Sequence, residues 1–119
     1  MNQKIKSITI GIAVKDVKEA TNWYKSLLGE NIEIMEPAPG VIELKLTDDV
    51  WLQFDDTGYL KLGGESSITR LETKDIEAAH MMTKKLVSDA EDIVTVEGVV
   101  KYFDFKDPWS NRLSYVQLM

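Results

Sequence analysis

The chain has 119 residues, enough for one compact domain, and its apolar content of 44% suits a globular core. A formal net charge of −6 argues against nucleic acid and anionic membrane as partners; it favours a cationic ligand, or does no more than keep a small protein soluble. Cysteine is absent, which excludes a disulfide framework and a zinc–thiolate site. No apolar run is long enough to span a bilayer, and the opening "MNQKIKSITI" lacks the apolar region of a signal peptide, so the expected location is the cytoplasm.

The first strand is expected over 8–14, with Ile8, Ile10, Ile12 and Val14 on one side and Thr9, Gly11 and Ala13 on the other. Asp16 is placed to cap a helix, because its carboxylate accepts the free amide hydrogens of a first turn. The helix is predicted over 17–28, with Val17, Ala20, Tyr24, Leu27 and Leu28 at the spacing of one buried face and Gly29 as its stop. Strand-like runs follow at 32–35, 41–46 and 50–55, and Pro37, Pro39 and Gly40 punctuate the first turn between them. A linker is expected over 57–65, marked by Gly63-Gly64, between a module at 1–56 and another at 66–119.

The second module repeats the first. "ITIGIAVKDVKEA" at 8–20 is echoed by "ITRLETKDIEAA" at 68–79, in a register that sets Asp16 over Asp75 and Thr9 over Ile68. A second helix is predicted over 76–87, burying Ile76, Ala79, Thr83, Leu86 and Val87, then strands at 93–96, 99–105 and 112–118 with a turn at Gly98. The order is βαβββ twice. The expected class is α+β: two tandem modules forming a curved mixed sheet around a central cleft, with the helices on the outer face.

This order, with "GIAVKDVKEATNWYKSLLG" near the start and "FKDPWSNRL" near the end, resembles the vicinal oxygen chelate superfamily. That group includes glyoxalase I, extradiol dioxygenases, fosfomycin-resistance enzymes and bleomycin-resistance binding proteins. The second segment resembles the family's "DPDGN" turn, written here DPWSN, with Trp109 in place of the usual acidic residue. In metal-dependent relatives each module supplies one ligand from its first strand and one from its fourth. By position those places fall on Thr9, Gln53, Ile68 and Ser114. The resemblance therefore implies a member without the usual metal ligands. A divalent cation needs several anionic or imidazole donors; Ile68 offers none and the other three offer only neutral oxygens. No cofactor is expected. By analogy with the family a homodimer is expected, in which Trp23 and Trp109 find cover.

Strand alternation gives a candidate ligand site: Thr9, Glu43, Trp51, Gln53, Arg70, Glu72 and Ser114. Tryptophan offers a face for stacking or cation binding, Gln53 and Ser114 can donate and accept, and Arg70 can hold a carboxylate or phosphate by two parallel bonds. The plainer alternative also stands: Arg70 and Glu72 pair with Glu43 and Lys45, and Trp51 fills a module or subunit interface. Alternation leaves open which of Tyr102, Phe103 and Phe105 reaches the cleft. His80, the one histidine, is placed on the second helix away from it, and Asp55-Asp56 is expected in solvent at a strand end. No catalytic residue is assigned. The leading reading is a metal-free small-molecule binding protein. Its alternatives are a metal-independent lyase or isomerase with Glu72 or Glu43 as base, and a metalloenzyme with ligands relocated to Glu43, Glu72 and Asp55.

Overall fold

The computed structural model describes residues 5–63 and 67–119. Gly64 and Glu65 of the expected linker, Ser66 at the expected start of the second module, and the first four residues of the amino-terminal stretch lie outside the described residues. The chain divides into two compact units, Met1–Leu62 and Gly63–Met119. No helix among the described residues is long and apolar enough to cross a membrane.

The first unit runs β1 (Ile8–Ala13), α1 (Val17–Leu28), β2 (Ile34–Ala38), β3 (Val41–Thr47) and β4 (Val50–Asp55). Its sheet has the order β1-β4-β3-β2; β1 lies parallel to β4 and the other pairs are antiparallel. The second unit runs β5 (Ile68–Glu72), α2 (Ile76–Leu86), β6 (Val94–Val96), β7 (Val100–Lys106) and β8 (Arg112–Leu118), and repeats that topology as β5-β8-β7-β6. The architecture is α+β, two βαβββ modules with two four-stranded mixed sheets.

Each helix is started by two side chains, one local and one remote. Asp16 Oδ1 accepts from the amides of Lys18 and Glu19, both at 2.9 Å, while the Val17 amide donates to Asp56 Oδ2 at 3.0 Å. In the second unit Asp75 Oδ1 accepts from the Ala78 amide at 3.1 Å, and the Ile76 amide donates to Gln117 Oε1 at 2.7 Å. The first-turn amides have no partner within the helix, so these bonds replace what water would otherwise supply. The backbone bonds from Val14 to Asp55 O and from Thr73 to Val116 O repeat in the same way.

One face of each sheet is dry. In the first unit Ile42, Leu44, Leu52 and Phe54 are buried with Val17, Ala20 and Tyr24 of α1, and the Tyr24 and Phe54 rings lie 4.8 Å apart. In the second, Phe103, Phe105 and Leu113 are buried with Ile76 and Thr83 of α2. His80 stands edge-on to Phe103 at 4.8 Å, and its Nε2 lies 2.9 Å from the Glu91 carbonyl, so the histidine packs on the helix side and ties down the loop after α2. Tyr115 stacks on Phe105 at 5.9 Å, and burial pushes its phenol above the ordinary range.

Several local expectations are corrected. β2 begins at Ile34 rather than residue 32 and continues through Pro37 to Ala38, with a register shift between Met35 and Ala38. An edge strand tolerates a proline because one row of its amides needs no partner, and its five exposed residues leave no alternation to read. Ile8 and Leu86, expected in the core, are exposed, because they stand at the ends of β1 and α2 with neighbours on one side only. Asp55 and Asp56 are not simply solvated. Asp55 is buried and its Oδ1 accepts from Thr57 N at 2.8 Å and Thr57 Oγ1 at 2.6 Å, while Asp56 caps α1. This packing demands Gly40: at φ 79°, a Cβ there would stand 2.8 Å from Asp56 Oδ1 and 2.9 Å from Thr57 Cγ2.

The DPWSN segment is a turn organised by one buried carboxylate. Asp107 Oδ1 accepts from Trp109 N at 2.9 Å and Asn111 N at 2.8 Å, and its Oδ2 accepts from Asn111 Nδ2 at 2.8 Å. Pro108 presets the first turn residue and Ser110 takes the left-handed conformation at φ 67°. Backbone bonds from Ser110 N to Asp107 O and from Asp107 N to Asn111 O close the turn onto β7 and β8. Asp107→Ala, which strips three charge-assisted acceptances from a buried position, is expected to cost about 2–4 kcal/mol in denaturant unfolding. Asp16→Ala and Asp75→Ala are each expected to cost about 1 kcal/mol by the same measurement.

Candidate functional site

Strand pairing fixes which residues share the face turned away from each helix. In the first unit Thr9 pairs with Trp51 and Trp51 with Lys45; one step along, Gly11 pairs with Gln53 and Gln53 with Glu43. These positions alternate with the buried Leu52, Phe54, Ile42 and Leu44, so they make up the open face. Gln53 Nε2 donates to Glu43 Oε2 at 2.8 Å. Leu60 reaches the same face: its Cδ1 lies 3.3 Å, and Gln53 Oε1 3.6 Å, from where a Cβ on Gly11 would stand. Thr9 is exposed and Trp51 half-buried. Lys45 is held by Glu33 at 3.3 Å and Asp48 at 3.6 Å, and the hydrogen bond and charge of Glu33, with Asp48 adding, keep its ammonium above the ordinary range.

In the second unit the open face is built from three successive rungs across β5, β8 and β7: Ile68–Arg112–Lys106, Arg70–Ser114–Asp104 and Glu72–Val116–Tyr102. Ser114 is fully buried, and its Oγ accepts from Arg70 Nη1 at 3.1 Å. The same Nη1 lies 3.6 Å from Asp104 Oδ1, a buried oxygen with no hydrogen-bond partner among the described residues. The Tyr102 ring lies beside the guanidinium, 5.6 Å from its carbon to the ring centroid. Tyr102 therefore occupies the open face, while Phe103 and Phe105 belong to the helix side. Glu72 is exposed. Where the loop after α2 runs along β7, joined by a 3.0 Å bond from Glu91 N to Asp104 O, two concavities open. One, of about 440 Å³, is lined by Asp89, Glu91, Asp104, Phe105, Lys106 and Arg112. The other, of about 300 Å³, has Glu91, Asp92, Val94, Tyr102, Phe103 and Asp104.

The structure thus gathers Thr9, Trp51, Gln53 and Glu43 on one face, and Arg70, Glu72 and Ser114 on another. Asp104 was not singled out from the sequence, and Tyr102 was left as one of three aromatic candidates with Phe103 and Phe105. The internal repeat held a signal for Asp104: the step that carries Gln53 to Ser114 also carries Glu43 to Asp104. In both units the fourth-strand position pairs across the sheet with a carboxylate residue of the third strand.

The donor chemistry does not fit the divalent ion of metal-dependent relatives. Ile68 has no donor atom, Gln53 is bonded to Glu43, and Ser114 is buried beneath a guanidinium whose charge opposes a second cation. Asp55, one of the alternative ligands, spends an oxygen on Thr57. Among the described residues no three histidine, cysteine, aspartate or glutamate side chains gather in a way that could hold a metal ion. Ser114→Glu is expected to take up no stoichiometric Zn²⁺ or Mn²⁺ in calorimetric titration, because three ligand positions stay unsuited.

Neither a protein-family model nor a curated protein matches the sequence. Solved structures do match the fold. A glyoxalase / bleomycin resistance protein from Catenulispora acidiphila superposes at a TM-score of 0.73 and 20% identity, over 95% of this chain and 98% of that one. TnmS3, an antibiotic binding protein from Streptomyces sp. CB03234, gives 0.73 at 17% identity over 99% and 98%. A lactoylglutathione lyase from Agrobacterium tumefaciens gives 0.70 at 12% identity over 92% and 91%. With its two βαβββ modules, its DPWSN turn and these likenesses together, the chain has the fold of the glyoxalase and bleomycin-resistance proteins, the vicinal oxygen chelate superfamily.

Proposed function

We propose that this protein binds a small molecule without a metal ion and without catalysing its conversion. The observation that carries the reading is the state of the fourth-strand positions. Gln53 and Ser114 are neutral and already hydrogen-bonded within their own sheets, each beside an aromatic residue that shares its open face, Trp51 in the first unit and Tyr102 in the second. Such faces suit stacking and a few fixed polar contacts, which is enough for recognition. The likeness to a structure described as an antibiotic binding protein supports the reading. A carboxylate serves as general base when it is drawn out of water and left unpaired. Glu72 is exposed, and Glu43 accepts from Gln53, so neither stands in that setting.

The proposed contacts are Thr9, Glu43, Trp51 and Gln53 on the first face and Arg70, Glu72 and Ser114 on the second. The proposed assembly is a homodimer, supported by the half-buried Trp23 and Trp109 and by exposed apolar residues such as Met81 and Met82. A single-chain mass in light scattering would refute it.

The reading is tested by a ligand screen that follows tryptophan fluorescence and thermal unfolding, with elemental analysis of the purified protein. Bound small molecules that stabilise the chain with no stoichiometric metal are expected, and Trp51→Ala should weaken a ligand seated on the first face by about 1–3 kcal/mol. Turnover that depends on an added divalent ion would overturn the proposal.

A further inference from the structure

The chain as a whole is acidic, at a formal net charge of −6, yet the open face of the second unit is not. Across β5, β8 and β7 it carries Arg70, Lys106 and Arg112 against Glu72 and Asp104. Asp104 is already committed, since its buried Oδ1 lies 3.6 Å from Arg70 Nη1. Arg70 differs from an ordinary surface arginine in how it is held. Its Nη1 donates to Ser114 Oγ, Asp104 sets its charge in place, and the Tyr102 ring flanks the guanidinium. Ser114 is fully buried on a central strand, so the guanidinium is tied to the body of the sheet. These contacts engage Nη1 and one face of the guanidinium plane. The side chain is still 47% exposed, and Nε and Nη2 make no bond among the described residues.

A fixed guanidinium with free in-plane donors matches the paired oxygens of a carboxylate, and ordering it beforehand removes much of the entropic cost of binding. We infer that Arg70 is the anchor for an anionic small molecule: a planar carboxylate that meets the free edge of the guanidinium, with its ring beside Tyr102. The inference rests on the small-molecule reading above and sharpens it by naming the charge of the ligand. It opposes the guess from net charge alone. The loop wall with Asp89, Glu91 and Asp92 offers the contrary chemistry, and a cationic ligand would use that wall instead.

The two are separated by nitrogen-resolved NMR of the full chain, titrated at neutral pH with benzoate, benzylammonium and benzamide. Benzoate is expected to shift the Arg70 Nε–H signal and the Ser114 and Tyr102 amides saturably, with an affinity that falls as salt is raised. Arg70→Lys, which keeps the charge and loses the fork, should weaken benzoate about tenfold, and Arg70→Met should abolish the effect with the rest of the spectrum unchanged. Should those variants fail to fold, the salt dependence and the Arg70 side-chain signal of the unaltered protein decide the matter. Saturable binding of benzylammonium or benzamide there, with none of benzoate, would overturn the inference and leave small-molecule binding standing. Silence from all three probes would overturn the anchor too, while the wider ligand screen still judges the binding reading on its own.

Discussion

A four-stranded sheet has two faces, and in each unit one helix covers only one of them. Tyr24 against Phe54 and His80 against Phe103 mark that contact. Burying the aromatic and aliphatic side chains of that face supplies the main drive for folding. Period-two alternation then turns every intervening residue the other way. The open faces follow from this constraint, and so does the identity of what they carry. Once Leu52 and Phe54 are fixed under α1, Trp51 and Gln53 must face away. Once Phe103, Phe105 and Leu113 are fixed beneath α2, Tyr102, Asp104 and Ser114 must do the same.

The helices hold their positions through the strand that lies parallel to the first. Asp56 and Gln117 each follow or end that strand and accept the first amide of the helix. A parallel pair of strands needs a crossover, here the helix and the two strands that follow it, and the remote cap ties the start of that crossover to the far end of the strand it returns to. The repeat is therefore physical as well as sequential. An aspartate does the remote capping in one unit and a glutamine in the other, since an N–H donor needs only an oxygen of the right reach.

Much of this could be read from the sequence because the informative residues are local. Asp16 and Asp75 announce helix starts whatever lies far away, and the alternation of 50–55 and 112–118 gives strand and phase together. The bounds of β2 were poorly legible, because that edge strand is exposed throughout and carries no pattern, whereas β6, equally exposed, lies within one residue of its expected span beside the Gly98 turn. The roles of Asp55 and Asp56 were misread for a different reason. A carboxylate at a strand end looks solvated until the chain that folds over it is known, and the Val17 amide is distant in sequence from Asp56. Tyr102 could not be placed because three aromatic positions in one short run fit either phase, and only pairing with β8 decides between them.

The second open face shows how a polar residue can be both buried and consequential. A fully buried serine is tolerable when its hydroxyl is bonded, and here the donor is a charged guanidinium. That bond ties Arg70 to Ser114, and Asp104, also on the sheet, offsets part of the guanidinium charge from its inner side. The charge that remains effective lies at the exposed edge of Arg70. A second carboxylate in place of Ser114 would join Asp104 and turn the cluster net negative, and an apolar residue would remove the hydrogen bond that orients the arginine. Serine at this position keeps the guanidinium in place while leaving its charge available to solvent and to whatever binds there.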